Sequence, residues 1–230
     1  REVKESTAIH LVRDEKPEAN VKSTTHGIMA EVFANGHFGY SSTNEMSLSG
    51  IQAAVINAEE NAAFSTIHSL NTFDTSVRPD SKGSYIPLSE SQVKNIFVPE
   101  LNGFLQKGCG YLKVSDKIIY TTGFARIVKT NHRSMTSSGG DLEQDFHFFS
   151  LDFSAIAQLD GISQKRTDHG MLARSYQAGS ELLLEFNIEN RCKQIGDQAH
   201  ELLYADECPT ELTSLVLAPD QMMLQIHESI

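Results

Sequence analysis

The pair Asn35-Gly36 sits between two arms that alternate apolar and polar residues, one running from Gly27 to Ala34 and the other from His37 to Thr43. A two-residue type I′ turn needs positive φ at both central positions, which Asn and Gly supply at least steric cost, so this block predicts a β-hairpin. Asp160-Gly161 repeats the signal. Phe149, Leu151, Phe153, Ala155, Ala157 and Leu159 alternate ahead of it, which buries one face, and the chain returns through Ile162 to Asp168. Between the two hairpins, residues 117 to 130 are rich in β-branched and aromatic side chains, and Ser137-Ser138-Gly139-Gly140 is a turn cluster. Three or four antiparallel strands follow from these signals. Near the start, Val3, Thr7, Ile9 and Leu11 keep a period of two and predict a half-buried strand, with residues 15 to 20 as a charged turn.

The remaining segments read as helices and connections. Leu48, Ile51, Val55, Ala58 and Ala62 recur at spacings of three and four, which predicts an amphipathic helix capped by Ser47 or Ser49. Residues 65 to 91 are rich in Ser, Thr, Asn, Asp and Pro and read as a long connection. A less regular helix spans about 89 to 106 and ends at Gly108. A long one spans 180 to 205, with Leu184, Ile188, Cys192 or Ile195, Ala199 and Leu202 toward the core, and a strand follows at 213 to 217. The order predicts an α+β fold, a largely antiparallel sheet with hairpins and long amphipathic helices packed on it. Residues 1 to 212 form an N-terminal α+β domain in this reading, and residues 213 to 230 open a second, C-terminal, metal-bearing domain.

The net charge of −11 argues against a phosphate backbone as a direct partner, because nucleic-acid binding is driven by clustered Lys and Arg and the longest basic run is Lys165-Arg166. No apolar run approaches the length of a helical membrane span, so neither nucleic acid nor membrane is expected as a partner, and the cytoplasm is the expected compartment. Cys109, Cys192 and Cys208 are odd in number and lack CxxC spacing, so they read as ordinary buried or half-buried thiols.

Chemistry concentrates at the end of the chain, where an apolar segment carries His227 and Glu228 side by side. In zinc peptidases a helical His-Glu pair supplies one metal ligand and the carboxylate that accepts a proton from the metal-bound water. His200-Glu201 has the same dipeptide without a second ligand and reads as structural, a His near a helix C-terminus. Asp141, Glu143, Asp145, His147 and Asp152 read as a solvated loop and strand, because alternation sends His147 and Asp145 to one face and Asp152 to the other. Ser41, Ser42 and Thr43 lack the Gly-x-Ser-x-Gly elbow of a nucleophile. The hairpins offer a further role: an exposed edge could hold an extended peptide by strand addition, which a covered edge would rule out.

Taken in order, these segments resemble the TldD/PmbA family, specifically its TldD-type members with a zinc-peptidase motif. The likeness runs through Gly27, Asn35-Gly36-His37-Phe38-Gly39-Tyr40-Ser41-Ser42-Thr43 and the Ala-rich helix at 48 to 63. It continues through the Ser137-Ser138-Gly139 turn, the long helix, residues 205 to 209, residues 215 to 219 and Leu224-Gln225-Ile226-His227-Glu228. The resemblance implies His227 as first zinc ligand and Glu228 as general base in a His-Glu-x-x-x-His motif whose second histidine falls two positions beyond Ile230. A spacing of five residues sets two side chains ~140° apart at ~100° per residue, so they converge on one ion only where the helix is distorted or ends. It further implies a zinc metalloprotease that cleaves or matures peptides or unfolded polypeptide, as a homodimer or as a heterodimer with a related subunit. As one ligand and one base, the present residues would not hold a catalytic zinc, which normally takes three protein ligands. The alternative reading is a non-catalytic binding or assembly subunit of a TldD/PmbA-type complex.

Overall fold

In the computed structural model, residues 1–68, 71–74, 80–87, 98–170 and 174–229 are described. The chain runs through strands β1 (Glu2–Arg13), β2 (Lys16–Ala34) and β3 (His37–Thr43), helix α1 (Leu48–His68), strand β4 (Lys82–Tyr85) and helix α2 (Val98–Leu112). Strands β5 (Ile118–Met135), β6 (Asp141–Leu159) and β7 (Ile162–Thr167) follow, then helices α3 (Glu181–Glu185), α4 (Ile188–Glu201) and α5 (Pro219–Ser229), with a 3-10 turn at Leu202–Tyr204 after α4. Among the described residues the strands are ordered β3-β2-β1-β5-β6-β4, with β7 also paired to β6. The α+β class with a largely antiparallel sheet is therefore the observed one. β4 is the exception, since it pairs parallel to β6 from Lys82↔Asp141 to Tyr85↔Gln144 inside the stretch expected to be a connection. Two compact units emerge, one of residues 1–8, 22–91 and 128–147, the other of residues 9–21, 92–127 and 148–230. No helix of the described residues is long and apolar enough to cross a membrane.

In the first unit, Asn35 and Gly36 adopt φ of 52° and 79°, the type I′ turn expected, and β2 pairs with β3 from Ala34↔His37 to Ile28↔Thr43. β3 then packs against α1. The helix starts where Ser47 Oγ accepts a hydrogen bond from the Gly50 amide at 3.1 Å, a side-chain N-cap. Its buried stripe is Ala54, Ala58 and Ala62, spaced by four, with Ile51 half-buried beside them, and Leu48, Val55, Ile56, Phe64 and Ile67 are exposed. The reason is Gly39: a Cβ there would lie 2.0 Å from the Ala58 carbonyl oxygen and 2.2 Å from the Ala62 amide nitrogen. Strand and helix backbones approach so closely that only small residues fit between them. The helical spacing was legible, but Leu48 and Val55, expected on the buried face, are 72% and 45% exposed.

The second unit holds the larger core. Leu101, Leu105, Cys109 and Leu112 of α2, Phe149, Leu151, Phe153, Ala155 and Ala157 of β6, and Cys192, Ile195 and Ala199 of α4 form one buried cluster with Val12 and Ile118. α2 continues through Gly108, which the sequence marked as its end. There the glycine is required by packing, because a Cβ would meet the Phe153 ring at 2.2 Å. The first nine residues expected in that helix, 89 to 97, lie outside the described residues. The expected single helix at 180–205 is broken: Phe186 is extended, and Asn187 Oδ1 caps α4 by accepting from the Asn190 amide at 3.4 Å. Leu184, expected in the core, is exposed, and Leu203 takes the last core position.

Two turns differ in how readable they were. Asp160 and Gly161, at φ of 49° and 85°, form the second expected type I′ hairpin. Asp14 and Glu15 form a third, with φ of 46° and 63°, so β2 begins at Lys16 and the expected charged turn at 15–20 is mostly strand. Asp14 Oδ1 accepts from both the amide and the hydroxyl of Thr121, at 2.9 and 3.3 Å, and a tertiary contact thereby fixes a turn with no glycine.

Candidate functional site

His227 and Glu228 lie in the last turn of α5, both exposed and without hydrogen-bond partners among the described residues. The helix begins at Pro219, whose fixed φ suits a first helical turn. Before it, residues 205–218 adopt no regular element, so the expected strand at 213–217 is not formed, and Leu212, Leu215 and Val216 are 105%, 79% and 93% exposed. Met223, Leu224 and Ile226 of α5 are also exposed. Adjacent helical residues point about 100° apart, so the imidazole and the carboxylate diverge around the helix. Among the described residues no group of three or more His, Cys, Asp and Glu could hold a metal ion. His227 and Glu228 alone do not make a metal centre.

A second constellation was missed from sequence and lies in the second unit. β6 is buried on both faces from Phe149 to Ala155, and the polar residues on its second face are satisfied in turn. The Ser150 and Ser175 hydroxyls are 2.7 Å apart, those of Ser154 and Thr122 are 2.6 Å apart, and Asp152 Oδ1 accepts from the His169 amide at 3.2 Å. Asp152, expected on a solvated face, is 6% exposed. Burial pushes its carboxyl above the ordinary range, opposed by backbone hydrogen bonds from His169, Gly170 and Phe153 and reinforced by the nearby Asp168 charge.

Asp168 is held by Arg191 of α4. Arg191 Nη2 donates to Oδ1 at 2.6 Å and Oδ2 at 2.7 Å, and Nε to Oδ1 at 3.2 Å. The same Nη2 lies 2.6 Å from His169 Nε2, which accepts because a guanidinium can only donate. The Phe186 ring lies 4.7 Å from the Arg191 guanidinium carbon. The Asp168 and Arg191 charges thus answer each other within the cluster. It ties α4 to the segment after β7, which is a structural duty, and residues 152, 168 and 191 are too far apart in sequence for any local pattern to have announced it.

The other expected sites resolve as follows. His147 is buried at 8% exposure, as alternation required, while Asp145 accepts from Asn131 Nδ2 at 2.8 Å. His200 ends α4 with Nδ1 2.8 Å from Ser115 Oγ, a structural placement. Thr43 Oγ1 accepts from the Glu45 amide at 3.0 Å, which shapes the approach to α1. Cys109 and Cys192 are buried and Cys208 is exposed. Strand addition at β3 is opposed by its own surroundings. The Ala34↔His37 pair closes the two-residue turn, so the backbone groups of Phe38, Tyr40 and Ser42 point outward. Asn61 Nδ2 already donates to the Tyr40 carbonyl at 2.9 Å, and the Phe73 amide donates to the adjacent Gly36 carbonyl at 2.8 Å.

An α+β protein with a largely antiparallel sheet and a solvent-facing His-Glu pair on its last described helix has known counterparts. Residues 1–62 match the family model described as PmbA/TldA metallopeptidase domain 1. That match covers the first 62 of the 230 residues and supports membership of the TldD/PmbA family. Similar folds occur in a Thermotoga maritima protein named as a modulator of a DNA gyrase (TM-score 0.60, 15% identity, 90% of this chain and 46% of that one). A Bacteroides thetaiotaomicron protein named likewise is similar at TM-score 0.59 and 15% identity, over 88% of this chain and 44% of that one. TldE from Thermococcus kodakarensis is similar at TM-score 0.56 and 12% identity, over 86% and 44%. The chain spans less than half the length of these structures, and at such identities they share its fold alone. No curated protein sequence matches it.

Proposed function

We propose that this chain is the N-terminal part of a TldD-like zinc metalloprotease that cleaves or matures peptides, with His227 as one zinc ligand and Glu228 as the general base. The observation that carries the reading is the adjacent imidazole and carboxylate, exposed and unengaged among the described residues, on a helix whose Met223, Leu224 and Ile226 are exposed too. The metallopeptidase label of the matching family model supports it. Zinc sites that catalyse hydrolysis normally have three protein ligands, so the remaining ligands would come from polypeptide outside residues 1 to 230. Peptide substrates and a homodimer, or a heterodimer with a related subunit, belong to the same proposal.

The test is the zinc content of the full natural polypeptide, by plasma mass spectrometry after dialysis. About one zinc per chain, lost in His227→Ala and kept in Glu228→Gln with peptidase activity abolished, is the expected result. Zinc retained by His227→Ala would remove His227 from the site. A full polypeptide that binds no zinc would favour the alternative, a non-catalytic assembly subunit of the same family.

A further inference from the structure

Helix α1 is divided in an uncommon way. Its buried residues are Gly50, Ala54, Ala58 and Ala62, with Ile51 half-buried beside them, while Leu48, Val55, Ile56 and Ile67 are 72%, 45%, 55% and 73% exposed. At ~100° per residue these four, with Gln52, Glu59 and Ala63, lie within an arc of about 120° that runs the length of a helix roughly 30 Å long. A solvated helix face ordinarily carries charge at such positions. Here the 21-residue helix holds no Lys or Arg, and its acidic residues are Glu59 and Glu60, both exposed beside the middle of the stripe.

That charge pattern discriminates between occupants. A second copy packed antiparallel about a twofold axis would set Leu48 opposite Ile67 and Gln52 opposite Ala63. It would also bring Glu59 and Glu60 of both copies around the axis, and like charges at a desolvated centre oppose association. A helix with apolar residues toward each end and Lys or Arg at its middle satisfies both parts of the stripe. Long basic side chains can lay their apolar stems over Val55 and Ile56 while their charged heads reach the carboxylates.

We infer that the outer face of α1 is a docking surface for an amphipathic helix of a different polypeptide, apolar at both ends and basic at its centre. The inference is independent of whether the protein binds zinc or cleaves peptides.

The test uses the full natural polypeptide and two labelled, stapled 21-residue helical peptides with Leu at the end positions and either Lys or Glu at the central ones, read by fluorescence anisotropy. The Lys peptide binds the wild type at least about tenfold more tightly than the Glu peptide, and the Glu59→Lys/Glu60→Lys variant reverses that preference. Ile56→Asp weakens the Lys peptide by about tenfold or more, as loss of a central apolar anchor does. All three substituted residues are exposed, and circular dichroism confirms that the variants stay folded. Equal binding of the two peptides, binding of neither, or indifference to Ile56→Asp overturns the inference. Sedimentation showing that the wild type self-associates through this face, and that Ile56→Asp abolishes it, overturns it in favour of a second copy.

Discussion

Replacing Gly39 by Ala tests the closest contact in the first unit. The new methyl carbon would lie 2.0 Å from the Ala58 carbonyl oxygen, 2.2 Å from the Ala62 amide nitrogen and 2.9 Å from the Ala62 Cα. An ordinary carbon contact is about 3.5 Å, so α1 would have to withdraw by roughly 1 Å or more. Both nearest atoms are helix backbone, which cannot turn aside as a flexible side chain can, and withdrawal opens the buried Ala54, Ala58 and Ala62 stripe along its length. Overpacking of this kind costs about 1–3 kcal/mol, and the backbone character of the clash puts Gly39→Ala near the upper end, about 3 kcal/mol. With a urea slope of about 2 kcal/mol/M, the unfolding midpoint falls by roughly 1.5 M. Gly103→Ala is the control: in α2, with no atom within 4 Å of its added Cβ, it gains about 0.5–1 kcal/mol from helix propensity alone. Urea unfolding followed by far-ultraviolet circular dichroism reads both. A Gly39→Ala midpoint equal to that of the wild type would refute the claim that β3 and α1 are in backbone contact.

Three further outcomes follow from the second unit. Burial raises the folded-state pKa of Asp152, so between the ordinary carboxylate value and that raised value the unfolded chain binds fewer protons than the folded one, and the group's contribution to stability falls as pH rises. Asp152→Asn, which keeps an acceptor for the His169 amide, therefore gains stability relative to wild type as pH is raised from 4 to 7 in urea titrations; a constant difference would disprove this. Arg191→Ala strands the Asp168 carboxylate, itself 8% exposed, and costs about 3 kcal/mol, whereas Lys193→Ala, in an exposed pair with Glu189, leaves the midpoint unchanged. Thiol titration of the native protein finds one reactive cysteine, Cys208, because Cys109 and Cys192 are buried and burial pushes both thiols up; rapid reaction of all three before denaturant is added would contradict that packing.

The candidate pair and the buried cluster differed in legibility for a physical reason. His227 and Glu228 are neighbours in sequence, so their juxtaposition was visible as soon as the helix was. Asp152, Asp168 and Arg191 meet only because β6, the segment after β7 and α4 converge, and nothing local distinguishes those three from solvated residues. Asp152 in particular followed an alternation that predicts one wet face, and the fold covers both.

By itself the sequence determined the elements whose information is local. Asn35-Gly36 and Asp160-Gly161 specified their hairpins because positive φ at two successive residues is set by the residues themselves, and Ser47 specified the start of α1 by its own hydroxyl. Only the tertiary structure decided what depends on distant partners. The Asp14-Glu15 turn rests on Thr121, the passage of α2 through Gly108 rests on the Phe153 ring, and the short parallel strand β4 exists only beside β6. The same is true of α1: periodicity announced a helix, but the approach of Gly39 decided that its alanines, and not its larger apolar residues, would be buried. Burial is set by the distance between backbones, and a one-dimensional pattern carries no measure of that distance.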